Sequence, residues 1–162
     1  MISNKTIERA EEVLQLLGLS WADLEGKRSL DLGAGSAELV IVAHKQGIKI
    51  VALDIKKPNG VSAEIEYVVA NARELPFQDG EFDYVLSIGG PIGDMPEIRD
   101  MQVSEKSFRE AVRVLKTGGE LRFGIGHKEF YENVKKFDER IELIFTQKDE
   151  KERELYYYKF VK

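Results

Sequence analysis

The sequence predicts an α/β fold in which helices cover a mostly parallel sheet. Short apolar runs alternate along the chain with segments in which apolar residues recur at helical spacing, the order typical of strand–helix–strand units. Most of these runs are continuous in apolar residues and do not alternate with polar ones, which indicates parallel strands that are buried on both faces.

The first element is predicted to be an amphipathic helix over residues 4–17 that ends near Gly18. Its apolar residues recur three or four positions apart, at Ile7, Ala10, Leu14 and Leu17. A loop is expected at 19–27. Five strands are predicted from the apolar runs at 28–32, 48–54, 65–70, 82–88 and 120–125.

Helical patterns lie between the predicted strands at 37–46 and 104–116, and a further helix is predicted at 128–137. The last apolar runs, at 141–147 and 154–161, are joined only by a short charged turn, which predicts an antiparallel hairpin.

Two features concern how this sheet is covered. The connections at 55–64 and 71–81 are short and contain proline and glycine, so part of the sheet should be covered loosely or by another chain. Three aromatic residues share one face of the last predicted strand, and we expect them in the core or in a homodimer interface: Tyr156, Tyr158 and Phe160.

Length and composition exclude several classes of protein. The 162 residues suit one domain, with a helix and loop over 1–24 and the sheet with its helices over 25–162. The formal charge of -5 argues against nucleic acid as a partner. Cysteine is absent and only two histidines occur, so no metal site is expected. Without a membrane-length apolar run or a signal region, the chain is expected to be cytoplasmic.

The sharpest local signal is a glycine-containing loop over residues 31–37, which follows the first predicted strand and opens into a helix. Glycines let a ligand lie against the backbone, and a helix N-terminus offers unpaired N–H groups. The dinucleotide-binding pattern requires a third glycine where Glu38 stands, so a pyrophosphate is disfavoured. A tight strand-to-helix turn without a ligand is the alternative interpretation.

An aspartate supports the ligand interpretation. Asp54 lies 21 residues after Gly33, at the carboxyl end of the second predicted strand. A carboxylate there can accept hydrogen bonds from both hydroxyls of a ribose that lies across the neighbouring strand end. The alternative is a solvated aspartate that faces Lys56 or Lys57.

Five segments, in order, resemble the motifs of the class I S-adenosylmethionine-dependent methyltransferases, especially the small members of that family: 26–35, 51–55, 70–77, 82–87 and 114–121. The resemblance implies a doubly wound, Rossmann-like sheet of seven strands in a three-layer sandwich, with six strands parallel and the last antiparallel. It also implies S-adenosylmethionine as the cofactor.

The resemblance further implies roles for individual residues. The loop backbone would approach the cofactor, an aspartate would hold the ribose, an isoleucine would pack on the adenine, and a serine would lie near the methionine end. The implied cofactor-binding residues are Asp31, Gly33, Ala34, Gly35, Asp54, Ile55, Asn71, Ala72 and Ser87. Two departures from the family pattern are Ala37, where a glycine is frequent, and Asn71, where an aspartate is frequent. Alanine is nearly as small as glycine, and asparagine keeps a carbonyl acceptor for the adenine amine but loses the charge.

The segment 89–103, rich in glycine and proline, is predicted to cover the methyl acceptor, with a plain surface loop as the alternative. Asp94 and Glu97 are candidates for orienting an acceptor, and His127 is a candidate base or a loop residue. Family members that methylate nucleobase or glutamine amines carry Pro-Pro-Tyr motifs after the fourth strand, which this chain lacks. The resemblance therefore implies methyl transfer, with a small molecule or a protein side chain as the acceptor. A non-catalytic cofactor-binding or interaction module is the alternative, and Glu38 argues against a nicotinamide-binding domain.

Overall fold

The computed structural model describes residues 2–93, 101–125, 133–148 and 151–162. Its helices are α1 (Asn4–Leu16), α2 (Trp21–Leu24), α3 (Glu38–Lys45) and α4 (Met101–Val114). Its strands are β1 (Arg28–Leu32), β2 (Lys49–Asp54), β3 (Tyr67–Val69), β4 (Phe82–Ile88), β5 (Leu115–Ile125), β6 (Glu142–Lys148) and β7 (Glu154–Val161).

The strands form one seven-stranded sheet in the order β3-β2-β1-β4-β5-β7-β6. The first five strands of the chain pair in parallel. Strand β7 is antiparallel to both of its neighbours, so β6 again runs in the direction of the parallel strands. The predicted α/β class, the seven strands with one antiparallel member and the terminal hairpin are therefore confirmed.

Helices lie on both faces of the sheet. Apolar residues of α1 and α3, such as Leu14 and Val40, pack in one buried cluster with Ala52 of β2. On the opposite face, Phe108 of α4 packs in a second cluster with Leu32 of β1. The three-layer arrangement follows because neighbouring residues of each central strand point to opposite faces.

The last strand contributes to the second cluster through the aromatic residues that share its face. These side chains are all buried within the single chain: Tyr156, Tyr158 and Phe160. Of the two expectations for this face, the core is confirmed. Phe108 contacts three other rings in this cluster, those of Phe123, Phe137 and Phe160.

Some predicted boundaries are wrong. The loop predicted at 19–27 contains α2, which begins with a capping box in which Asp23 Oδ2 accepts from the backbone N–H of Ser20 at 2.8 Å. Strand β5 begins at Leu115 rather than at 120, because it pairs with Phe82 before the register shifts. Most of the helix predicted at 128–137 lies outside the described residues.

The two short connections contain no helix, and the structure describes every residue of both, 55–66 and 70–81. The second connection covers the sheet with Leu75 and Phe77, and the ring of Phe77 meets that of Phe82 edge to face. The loose covering predicted for this part of the sheet is thus supplied by the chain itself. Within the described part of the chain, no helix is long and apolar enough to cross a membrane.

Candidate functional site

The candidate site lies where the carboxyl ends of the parallel strands meet. The strand order reverses between β1 and β4, and ligands of open α/β sheets bind in the crevice at such a switch point. A cavity of about 500 Å³ lies at this rim. Its lining residues come from the ends of β1 to β4 and from α4: Gly33, Leu53, Asp54, Ile55, Ala70, Asn71, Ala72, Arg73, Gly89, Gly90, Pro91, Val103 and Ser107.

The glycine loop is bound to the end of β2 through its backbone. The N–H groups of Gly33 and Ala34 both donate to the carbonyl of Leu53, at 2.8 and 3.0 Å. Gly33 has a φ of 85°, and a Cβ there would come within 2.8 Å of Gly90 and Pro91. Gly33 is therefore required both for the turn and for close approach of the segment that follows β4.

Asp54 connects the loop to the cavity. One carboxylate oxygen, Oδ2, accepts a hydrogen bond from the backbone N–H of Gly35 at 2.9 Å. Among the described residues no donor reaches the other oxygen, Oδ1, and Asp54 lines the cavity. A carboxylate can accept several hydrogen bonds, so Asp54 can hold the loop and still bind a hydroxyl-bearing ligand.

Ala37 adopts a left-handed backbone conformation, with φ 61° and ψ 28°, immediately before α3. Its side chain is completely buried. Similarity in size to glycine is therefore not enough to make alanine equivalent at this position. The backbone conformation is the stronger constraint, because the left-handed region is unfavourable for every residue with a Cβ.

Asp31 is a buried carboxyl group at the end of β1, only 9% exposed. Burial raises its pKa to about 7, and the nearby carboxylates of Asp54 and Glu38 contribute to the same shift. No hydrogen bond to the Asp31 side chain is present within the described part of the chain. A cation bound near this group would stabilise its charged form.

The segment predicted to meet the adenine lies at the same rim. Ile55 is 76% exposed, whereas Ala72 is buried. The side-chain oxygen of Asn71 accepts from the backbone N–H and from the Nε of Arg73, at 3.0 and 3.2 Å. The acceptor that the sequence assigns to an adenine amine thus already has two donors. Arg73 also lines the cavity; it lies within the 70–77 motif, but the resemblance implied no role for it.

Ser87 lies beneath the rim rather than on it. It is completely buried, and its hydroxyl donates to the carbonyl of Leu32 at 3.0 Å, which connects β4 to β1. A Cβ on Gly90 would lie 2.4 Å from this hydroxyl. Ser87 therefore supports the backbone of Gly90, which lines the cavity, and does not itself line it.

The side of the cavity that the sequence predicts to cover the methyl acceptor is formed by the segment after β4 and by the first turns of α4. Within the predicted 89–103 segment, residues 101–103 belong to this helix. Ser104 donates to the carbonyl of Gly93 at 3.2 Å, and Ser107 donates to that of Val103 at 3.0 Å. Three predicted candidates lie outside the described residues: Asp94, Glu97 and His127. No group of His, Asp and Glu in the described ranges could hold a metal ion.

Comparison with known proteins gives the family. A family model described as a methyltransferase domain matches residues 30–123, more than half of the chain. The chain therefore belongs to the methyltransferase-domain family, and the resemblance indicated by its motifs is confirmed. The matched span begins within β1 and ends within β5, so it includes every described residue that lines the cavity.

Curated relatives act on different kinds of substrate, according to their names. Ribosomal RNA large subunit methyltransferase E of Wolbachia is 32% identical over 124 residues, which cover 68% of this chain and 57% of that protein. Sarcosine/dimethylglycine N-methyltransferase of Halorhodospira halochloris is 32% identical over 133 residues, which cover 75% and 43%. The chain spans about half the length of the curated relatives that it matches.

A solved structure shares the fold. It is that of the 1,6-didemethyltoxoflavin-N1-methyltransferase of Burkholderia thailandensis, with bound 1,6-didemethyltoxoflavin and S-adenosylhomocysteine. The TM-score is 0.66 at 12% identity, and the match covers 98% of this chain and 79% of that chain. At this identity the likeness concerns the fold alone.

Proposed function

We propose that this chain binds S-adenosylmethionine at the rim of β1 and β2 and transfers its methyl group to a small-molecule acceptor. The observation that carries the proposal is Asp54, which has one carboxylate oxygen on the glycine loop and the other without a protein donor, at the edge of a cavity at the switch point. This arrangement suits a ribose, whose two neighbouring hydroxyls both donate hydrogen bonds.

The lining residues fit the other parts of the cofactor. The exposed side chain of Ile55 offers an apolar surface to an adenine ring. The buried carboxyl of Asp31, without a hydrogen-bond donor among the described residues, suits the positively charged methionine end. Because a nearby cation favours the charged form, we expect cofactor affinity to rise as the pH rises through about 7.

The chemistry requires little from the protein beyond placement. The cofactor supplies an activated methyl group, and an acceptor must be held in line with it, within about 3 to 3.5 Å. Val103, Ser107 and Pro91 line the cavity on the acceptor side, where they would position the acceptor and exclude water. The mixed apolar and hydroxyl character of these residues is compatible with a small organic molecule.

A small-molecule acceptor is also supported by charge and by relatives. The formal charge of -5 disfavours a phosphate-rich acceptor, although one relative is named as a ribosomal RNA methyltransferase. Another relative is named as a sarcosine/dimethylglycine N-methyltransferase, and both compounds in that name are small molecules. We further propose a cytoplasmic location.

Calorimetry with S-adenosylhomocysteine tests the cofactor assignment. Replacing Asp54→Ala removes a charge-assisted acceptor and should weaken binding about 10- to 100-fold. Glu64→Gln is a matched control on the β2–β3 connection, because this carboxylate is exposed and its one ion pair among the described residues is with His44, at 3.6 Å. Equal affinity for the unaltered chain and Asp54→Ala would contradict the assignment.

A radiolabelled methyl-transfer assay then separates enzyme from binding module. The acceptor panel should include small amines, hydroxylated and aromatic metabolites, a protein extract and ribosomal RNA. Transfer to a small molecule supports the proposal. Binding without transfer to any acceptor would favour the non-catalytic module, and transfer to RNA alone would contradict the acceptor class.

A further inference from the structure

The hydroxyl of Tyr67 lies between two backbone carbonyl groups at the rim of the candidate site. Tyr67 is the first residue of the edge strand β3. Its hydroxyl lies 3.0 Å from the carbonyl oxygen of Gly35 and 3.1 Å from that of Lys56. Gly35 belongs to the loop after β1 and Lys56 to the segment after β2, so one side chain contacts both of the segments that border the cofactor site.

Both the N–H and the carbonyl group of Gly35 therefore make a hydrogen bond with a side chain. Its N–H donates to Asp54, at 2.9 Å, and its carbonyl accepts from Tyr67. A shift of the Gly35 peptide would therefore also move the donor that orients the Asp54 carboxylate. Tyr67 does not line the cavity, so any effect on a ligand must pass through these backbone contacts.

The two carbonyl groups compete for one proton, because a tyrosine hydroxyl donates only one hydrogen bond at a time. Among the described residues Tyr67 is the only donor that reaches either carbonyl oxygen. The β2–β3 connection has no helix, and the contact with Lys56 therefore restrains a segment that lacks regular backbone bonding.

The surroundings keep the hydroxyl protonated. Burial raises the pKa of Tyr67 to about 12, and the carboxylates of Asp54 and Asp31 add to this shift. The ammonium group of Lys57 lies 5.6 Å from the centre of the tyrosine ring, on the ring face. Tyr67 thus remains a hydrogen-bond donor throughout the neutral pH range.

We propose that Tyr67 is a positioning residue for cofactor binding: its hydroxyl sets the spacing between the glycine loop and the segment after β2, and thereby the position of the Asp54 carboxylate. This inference rests on the proposed function, because it assigns the contact to the binding of an adenosine-containing cofactor. The substitution Tyr67→Phe removes the hydroxyl and keeps the ring, including its contact with Lys57.

Tyr84→Phe is the matched control. Tyr84 lies on β4, is half-buried and packs against the same apolar cluster as Tyr67. Its hydroxyl makes no hydrogen bond to any described residue, and burial raises its pKa as well. A general effect of removing a half-buried tyrosine hydroxyl would therefore appear in both variants.

Amide hydrogen exchange of the unliganded chain, followed by NMR, tests the contact without any ligand. In Tyr67→Phe the Gly35 amide should exchange at least about threefold faster than in the unaltered chain, whereas in Tyr84→Phe it should not change. Unchanged exchange in Tyr67→Phe, or equal acceleration in both variants, would overturn the inference.

Calorimetry with S-adenosylhomocysteine tests the consequence for binding. Tyr67→Phe should bind about three- to tenfold more weakly, and Tyr84→Phe should bind as the unaltered chain does. In a methyl-transfer assay the KM for the methyl donor should rise while kcat stays within about twofold. Affinity unchanged by Tyr67→Phe would overturn the positioning role.

The two proposals fail in different ways. If the unaltered chain does not bind S-adenosylhomocysteine, the cofactor assignment fails, and the role of Tyr67 in cofactor binding is overturned with it. The exchange measurement still decides whether the hydroxyl holds the two segments together. If the unaltered chain binds and Tyr67→Phe binds equally well, only the role of Tyr67 fails.

Discussion

The β1–β2 and β4–β5 connections contain the helices α3 and α4, whereas the β2–β3 and β3–β4 connections contain none in 55–66 and 70–81. The first pair is held by apolar packing against the sheet. The second pair also packs apolar side chains into the two clusters, but its backbone is held in addition by polar side chains, Tyr67 in one case and Arg113 with Glu110 in the other. Where a helix is missing, hydrogen bonds from side chains to the backbone therefore contribute to the shape of the site rim.

The Glu110–Arg113 pair shows how this works on the β3–β4 side. Arg113 donates to the carbonyl groups of Phe77 and Leu75, at 2.9 and 3.0 Å, and to Asp79 at 2.8 Å. Glu110 accepts from the backbone N–H of Leu75 at 2.8 Å. The pKa of Glu110 lies below its usual range because Arg113 donates to its carboxylate. Helix α4 thus fixes the segment that follows the predicted adenine contacts.

The largest expected effect is in the helix-covered region. Phe108→Ala removes a buried ring that contacts three others, so the free energy of unfolding should fall by about 3 to 5 kcal/mol. Urea denaturation measures the change. Arg109→Ala, an exposed position on the same helix, should change stability by less than about 0.5 kcal/mol. A loss below about 1 kcal/mol for Phe108→Ala would contradict the packing of this ring against the other three.

The next largest effect is expected at the buried carboxyl group of Asp31, whose charge depends on pH. Because burial raises the pKa of Asp31 to about 7, the folded chain favours the protonated form of this carboxyl group. The stability that this preference provides is fully present below about pH 4 and is lost as the pH rises to about 7. Relative to Asp31→Asn, the unliganded chain should lose up to about 4 kcal/mol of unfolding free energy across this window. Urea denaturation at several pH values measures it, and parallel pH profiles for both chains would contradict the shift.

The β3–β4 connection, which contains no helix, should be destabilised when the arginine that binds its backbone is replaced. Arg113→Met keeps much of the side-chain length but removes the donors to Leu75 and Phe77, so the free energy of unfolding should fall by about 1 to 3 kcal/mol. Binding of S-adenosylhomocysteine should also weaken. Arg109→Met is the matched control on α4. If both arginine variants behave alike, the distinction between the two kinds of connection is wrong.

The smallest effect is a stabilisation. Ala37→Gly removes a Cβ from a left-handed conformation and should raise the free energy of unfolding by about 1 kcal/mol. Ala34→Gly is the control, because Ala34 does not have a positive φ. Thermal unfolding measures both variants. A loss of stability in Ala37→Gly would show that packing of the methyl group outweighs the backbone strain.

The sequence was sufficient for the bounds of three strands and for the rim position of Asp54. Strands β1, β4 and β7 begin and end at the predicted residues, because charged residues or glycines flank each of these apolar-rich segments. The rim position of Asp54 also follows from sequence, since carboxyl ends of parallel strands meet at one edge. Five of the predicted cofactor-binding residues line the cavity: Gly33, Asp54, Ile55, Asn71 and Ala72.

The side chains that hold the helix-free connections could not be predicted, because they contact distant parts of the chain. Tyr67 binds the carbonyl of a residue 32 positions earlier, and Arg113 binds one 38 positions earlier. No local pattern encodes such pairs, because each depends on how strands and helices are placed. The same holds for Ser107, which lines the cavity but lies outside the motifs and outside the predicted 89–103 segment. The short helix α2 differs, since its capping residues were visible in the sequence.

A crystal structure of this chain with S-adenosylhomocysteine would show directly whether Asp54 holds the ribose of the cofactor. We expect the ligand at the carboxyl ends of β1 and β2, with the ribose hydroxyls on the carboxylate of Asp54 and the adenine against Ile55. Ligand density elsewhere on the protein, or a ribose that makes no contact with Asp54, would contradict it.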